Sequence, residues 1–94
     1  MSSVWVTNTT DQALEDGWAG NRYRFLPNQP LELPADAAQH IFGHGVDDKE
    51  PFLARLGWIK TTNDLPKGLE RLEHFKITDQ EPEMKLSGRM KLVK

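Results

Sequence analysis

The residues whose spacing could support chemistry are His40 and His44, four apart in Gln39-His-Ile-Phe-Gly-His-Gly45, with Asp47 and Asp48 just beyond. Two imidazoles one helical turn apart can hold zinc if a helix presents both on one face. Gly43 and Gly45 flank the second histidine, however, and such glycines end helices. A zinc site also needs three or four ligands in fixed geometry. The expectation is therefore that His40 flanks an apolar stripe, that His44 sits in an exposed turn, and that no metal or cofactor is held. A metal-assisted enzyme built on His40, His44 and Asp47 is the rival that this reasoning sets aside.

Other catalytic sets fare no better. The serines are Ser2, Ser3 and Ser87, all near the ends of the chain, and cysteine is absent. A nucleophile needs a rigidly held neighbouring base, and chain ends seldom supply one. Acid–base work by Glu15-Asp16 or Asp47-Asp48 would need two carboxyls in different surroundings; adjacent acids in polar stretches more often solvate a surface or cap a helix. No glycine pattern matches a phosphate loop, and Gly43-His44-Gly45 is too short to make one. The expectation is a protein that is not an enzyme.

Binding chemistry is better represented. Trp5, Trp18, Tyr23, Phe25 and Trp58, beside Arg22 and Arg24, could form a base-stacking platform for single strands. Eight aromatic residues in 94 are, though, what a small core needs. Trp18, between Gly17 and Gly20, is the one aromatic expected to face a partner. The second binding candidate is the C-terminal stretch, where Met84 and Leu86 alternate with Lys85, followed by Arg89, Met90, Lys91 and Leu92. Such an arm can add a strand to a neighbour's open sheet edge. The partner-binding residues singled out are thus Trp18, Met84, Leu86, Arg89, Met90 and Leu92.

Charge sharpens this division. The net charge is −2, yet residues 1–83 hold all 14 acids and 8 of the 12 basic residues, a formal −6. Residues 84–94 hold Lys85, Arg89, Lys91 and Lys94 and no acid. An acidic body disfavours general nucleic-acid binding, which neutralises phosphates, whereas a basic arm favours an acidic protein surface. No apolar run approaches the ~18 residues of a membrane span. Met1-Ser-Ser-Val-Trp5 lacks the features of a signal peptide, so synthesis in the cytoplasm is expected and the Asn8-Thr-Thr10 sequon is expected to stay unmodified.

The elements that must position these groups are short. Residues 4–8 read as a strand with Val4 and Val6 on one face and Trp5 on the other. Residues 9–21 read as a loop anchored by Leu14 and Trp18. Arg22–Leu26 alternates strictly, Pro27–Pro30 is a turn, and Leu31–Leu33 returns as a second strand of a marginal pair. Pro34 opens a helix with Asp36 in its first turn and Ala37, Ala38, Ile41 and Phe42 on its apolar face. A second helix, capped by Asp47 or Asp48, carries Phe52, Leu53 and Leu56 and stops at Gly57. Trp58–Thr61 reads as a strand. A third helix, capped by Asn63 or Asp64, aligns Leu65, Leu69 and Leu72, with Gly68 as a weak point. His74–Thr78 reads as the last strand. The sum is one α+β domain over residues 1–80, a twisted, mostly antiparallel sheet or partial barrel with two or three short helices. Residues 81–94 form an extended arm, flexible or docked on a partner.

Three blocks carry a resemblance: Glu15-Asp-Gly17 followed by Asn21-Arg-Tyr-Arg-Phe25; His40-Ile-Phe-Gly-His-Gly45 with Asp47-Asp-Lys-Glu-Pro51; and Leu53-Ala-Arg-Leu-Gly-Trp-Ile-Lys-Thr61. Together they resemble small structural proteins of tailed bacteriophages and prophages, over residues 4–78. The resemblance implies a virion component, a capsid decoration or minor head protein, made in the host cytoplasm. Its partner would be the major capsid protein or another virion protein, with a homo-oligomer also open to it. The alternative is a small phage-encoded regulatory or single-strand nucleic-acid-binding module.

Overall fold

The computed structural model describes residues 2–82, and these form an α+β domain. β1 (Ser3–Asn8) is the central strand of a three-stranded sheet in the order β4-β1-β5, with β4 (Leu31–Pro34) and β5 (Phe75–Thr78) antiparallel on either side. β2 (Leu14–Trp18) and β3 (Asn21–Phe25) form a separate antiparallel hairpin. Three helices complete the fold: α1 (Ala35–Phe42), α2 (Glu50–Leu56) and α3 (Leu65–Glu73), the last entered through a 3-10 turn at Thr62–Asp64.

β1 behaves as its β-branched alternation requires, with Val4 and Val6 buried and Trp5 on the opposite, half-exposed face. α1 buries Ala37, Ala38, Ile41 and Phe42 and ends at Gly43, whose φ of 72° is the left-handed conformation. Phe42 joins the two sheets. Its ring meets Phe25 of the hairpin edge-on at 5.3 Å and Phe75 of the larger sheet at 5.2 Å. Gly43 is required twice over, because a Cβ there would stand 2.6 Å from Phe52 Cδ2. Lys49 then locks the loop after α1, its Nζ donating to the carbonyls of Gly43 and Val46 at 2.6 Å each. A cation at a helix C-terminus also opposes the negative end of the helix dipole.

Asn8 is the polar hub between the sheets and is fully buried. Its Nδ2 donates to Phe25 O at 2.8 Å and Gln12 O at 2.7 Å, while its Oδ1 accepts from Thr10 N and Thr10 Oγ1. Every side-chain hydrogen-bonding group of this residue is thereby engaged in protein contacts. A buried amide left unpaired would instead be strongly destabilising.

Four expectations are corrected. Residues 9–21 are not a loop throughout, because Leu14–Trp18 is a strand paired with β3 from Leu14↔Phe25 to Trp18↔Asn21. The strand at 31–34 accordingly pairs with β1, Val4 opposite Leu33, and not with Arg22–Leu26. Trp58–Thr61 is irregular rather than a strand, since Ile59 must drop into the space beneath α3. Leu69 does not line a buried stripe and is 37% exposed. α3 instead approaches Ile59 and Leu53 through Gly68, the residue that looked like its weak point. The second helix begins after Lys49, with Asp48 Oδ1 accepting from Glu50 N at 3.1 Å.

Candidate functional site

The hairpin that carries Trp18 is built by its turn. Ala19 (φ 52°) and Gly20 (φ 83°) both take positive φ, the requirement of the two-residue turn whose twist matches the flanking strands. This sets Trp18 and Asn21 opposite each other at the tip. The register puts Leu14, Asp16, Trp18, Tyr23 and Phe25 on one face, with Glu15, Gly17, Arg22 and Arg24 on the other.

On its inner face the hairpin rests on α1 and α2. The Trp18 indole stacks on the His40 imidazole with centroids 4.6 Å apart and planes tilted by 31°, yet Trp18 remains 36% exposed. Asp16 receives the Arg55 guanidinium from α2 as a two-pronged ion pair, the longer arm being Nη1 to Oδ1 at 3.4 Å. Its Oδ1 also accepts from Gly17 N at 2.7 Å. Burial pushes the Asp16 carboxyl up, but the Arg55 hydrogen bond, the Gly17 N–H and the nearby charges of Arg55 and His40 outweigh it and hold the group below its usual value. Asp16 and Arg55 thus pin the hairpin base while His40 backs the indole. The result is a braced, half-exposed aromatic above an open groove of about 440 Å³, lined also by Asn21 and Arg22.

A second concavity of about 300 Å³ lies between the 10–14 segment, Arg71 and Phe75. Its Thr10 hydroxyl is already committed to Asn8 and to the Gln12 carbonyl, and Arg71 lies over the Trp58 ring at 4.5 Å. Neither groove brings together a nucleophile and a base.

The histidine pair is separated by function. His40 lies in the last turn of α1 against Trp18, whereas His44 follows the left-handed Gly43 and its N–H reaches back to Ala38 O at 3.4 Å. Among the described residues, no three His, Cys, Asp or Glu side chains are grouped to hold a metal ion. The base-stacking platform is not assembled either. Phe25 is buried, and the register puts Arg22 and Arg24 on the hairpin face opposite Trp18, from which Arg22 reaches the edge of the groove beneath the indole. Met84, Leu86, Arg89, Met90 and Leu92 lie outside the described residues.

Sequence reasoning missed the Asp16–Arg55 pair and the Asn8 hub. A signal for the hairpin was present: Ala19-Gly20 is a two-residue reverse turn between Leu14, Asp16 and Trp18 on one side and Tyr23 and Phe25 on the other. Nothing local pointed from Asp16 to Arg55, 39 residues away.

No family model matches the chain, and neither the curated proteins nor the solved structures contain a match to it. Among the described residues no helix is long and apolar enough to cross a membrane.

Proposed function

We propose that this chain is a non-enzymatic virion structural protein of a tailed bacteriophage or prophage, a capsid decoration or minor head protein that binds a repeating protein surface. The observation that carries the binding part is Trp18, held half-exposed by His40 at the tip of a hairpin braced by Asp16 and Arg55. Tryptophan on a rigid support loses little conformational freedom on docking and is enriched among residues that dominate interface energetics. The phage assignment rests on the sequence resemblance. The hairpin site draws its contacts from all three of the resembling blocks: Asp16 from the first, His40 from the second and Arg55 from the third. Many copies on a lattice make a weak single contact durable through avidity. The basic segment 84–94 supplies further adhesion to acidic protein surfaces.

The single-strand nucleic-acid alternative has less support, because Phe25 is buried and Arg24 lies on the hairpin face opposite the indole, so of the two arginines only Arg22 reaches the Trp18 groove. A flat binding titration with single strands at low salt removes it; steep, salt-sensitive binding would restore it.

The test is co-sedimentation of the purified protein with particles of the encoding phage, with copy number read by quantitative mass spectrometry. Many copies per particle are expected for the parent chain. Trp18→Ala should weaken the apparent affinity for particles at least tenfold, the effect of ~1.4 kcal/mol per site, with the variant still folded at the assay temperature by circular dichroism. Absence of the protein from intact particles rejects the proposal.

A further inference from the structure

Among the described residues four strand edges are unpaired, and they differ in what they offer. The β1–β5 register continues through Thr9 N donating to His74 O at 2.9 Å. In an antiparallel ladder, residues alternate between those bonded to the neighbour and those facing away. Lys76 and Thr78 therefore face β1, leaving the N–H and C=O groups of Phe75 and Ile77 on the outer side, where no described residue bonds them. The other edges are compromised. Ala35 N donating to Ser2 O places Glu32 and Pro34 on the outer side of β4, and proline has no N–H to give. On β2, Gly17 N is already taken by Asp16. β3 carries Arg22 and Arg24, which repel a basic segment.

We infer that the β5 edge accepts residues 84–92 of a second copy of this chain, each copy lending its segment to the other. Met84-Lys85-Leu86 alternates as an added strand must, and main-chain hydrogen bonding along a sheet edge supplies affinity without a preformed pocket. Charge favours the same strand: exposed Glu73, Asp79 and Glu81 bracket β5 against Lys76 and, beside Phe75, Arg71, and the incoming segment brings Lys85, Arg89 and Lys91. Four residues separate the end of β5 from residue 83. A reciprocal exchange closes at two chains. This deepens the proposed function by naming what the basic segment engages, leaving Trp18 for the particle. The assay below contains no particles, so its failure leaves the virion assignment standing.

The experiment is light scattering on the purified full-length chain after size exclusion, over a wide range of concentration. The expected mass is twice that of one chain, falling to one chain in Met84→Asp/Leu86→Asp with the same melting temperature. Excess synthetic peptide of residues 83–94 should also shift the parent chain to the one-chain mass, and less effectively as salt rises. Because the chain has no cysteine, Thr78→Cys and Ser87→Cys can be mixed and treated with a short bismaleimide. The mixture should yield more cross-linked pairs than either variant alone. A one-chain mass at every concentration overturns the inference, as does a two-chain mass indifferent to the arm substitutions. Cross-linking confined within single chains of the Thr78→Cys/Ser87→Cys double variant overturns it as well, because the segment then folds back on its own β5.

Discussion

Gly68→Ala separates local helix preference from tertiary packing, because the two predict opposite signs. In an exposed helix interior, alanine is favoured over glycine by ~1 kcal/mol, so propensity alone makes the variant more stable. In this fold a Cβ at residue 68 would lie 2.5 Å from Ile59 Cγ2 and 3.2 Å from Leu53 Cδ1. Carbon atoms prefer roughly 3.5–4.0 Å, so α3 must retreat by about 1 Å or Ile59 must leave its position. Ile59 is buried and β-branched, with Cγ2 one bond from its Cβ, and it has little rotamer freedom to yield. Overpacking of this kind costs about 1–3 kcal/mol, which outweighs the propensity gain. Set against that gain, the expected net loss is about 1 kcal/mol, within a range of about 0–2, lowering Tm by roughly 4–8 °C per kcal/mol in a domain of this size. Calorimetry on the parent and the variant measures it. In an Ile59→Leu background the offending methyl moves off Cβ, so the same substitution should cost measurably less in a double-mutant cycle. A Gly68→Ala variant that melts above the parent would falsify the packing of α3 on Ile59.

Three further outcomes are expected. Asn8→Ala leaves the Phe25 carbonyl and Thr10 N without the Asn8 side chain, while the Gln12 carbonyl keeps Thr10 Oγ1, and should cost about 2–4 kcal/mol; urea unfolding showing less than 1 kcal/mol would remove Asn8 as the hub. Ala19→Asn relieves an alanine held at φ 52° and should raise stability by roughly 0.5–1 kcal/mol, read as a higher Tm; a drop would mean that the turn is not of this type. Arg55→Gln should lose roughly 0.5–1 kcal/mol at neutral pH, since Arg55 is partly exposed and the pair is screened. The folded-state value of Asp16 lies below its ordinary 3.8, so its contribution is complete above that pH and disappears as pH falls through the lowered value. Parent and Arg55→Gln melting curves should therefore converge at the acid end, and a gap that persists once Asp16 is protonated refutes the pairing.

Local signals in the chain carried the elements whose cause is local. Gly43 and Gly57 both take the left-handed conformation and end their helices, as glycine after an apolar stripe implies. Val4, Val6, Ala37, Ala38, Ile41 and Phe42 are buried at their two- and 3.6-residue periods. The α+β class and the final strand were legible for the same reason. Trp18 was singled out from its glycine-flanked setting, and it stands half-exposed at the hairpin tip.

Pairing was not legible, because a strand's partner is chosen by groups far away in the chain. Leu14–Trp18 has no β-branched residue and contains two acids and a glycine, so its own preference is weak. It becomes a strand because Ala19-Gly20 folds it onto β3, Arg55 holds Asp16, and His40 supports Trp18. With β3 so engaged, β4 pairs with β1 instead. Gly68 shows the same limit from the helix side, since its value lies in the space it leaves for Ile59. The amino-acid order by itself thus determined which segments are helical or extended and which side chains are apolar enough to bury. Only the tertiary structure decided which strands meet, which glycine is indispensable and which residues brace Trp18, because those depend on contacts between residues that propensity and period do not relate.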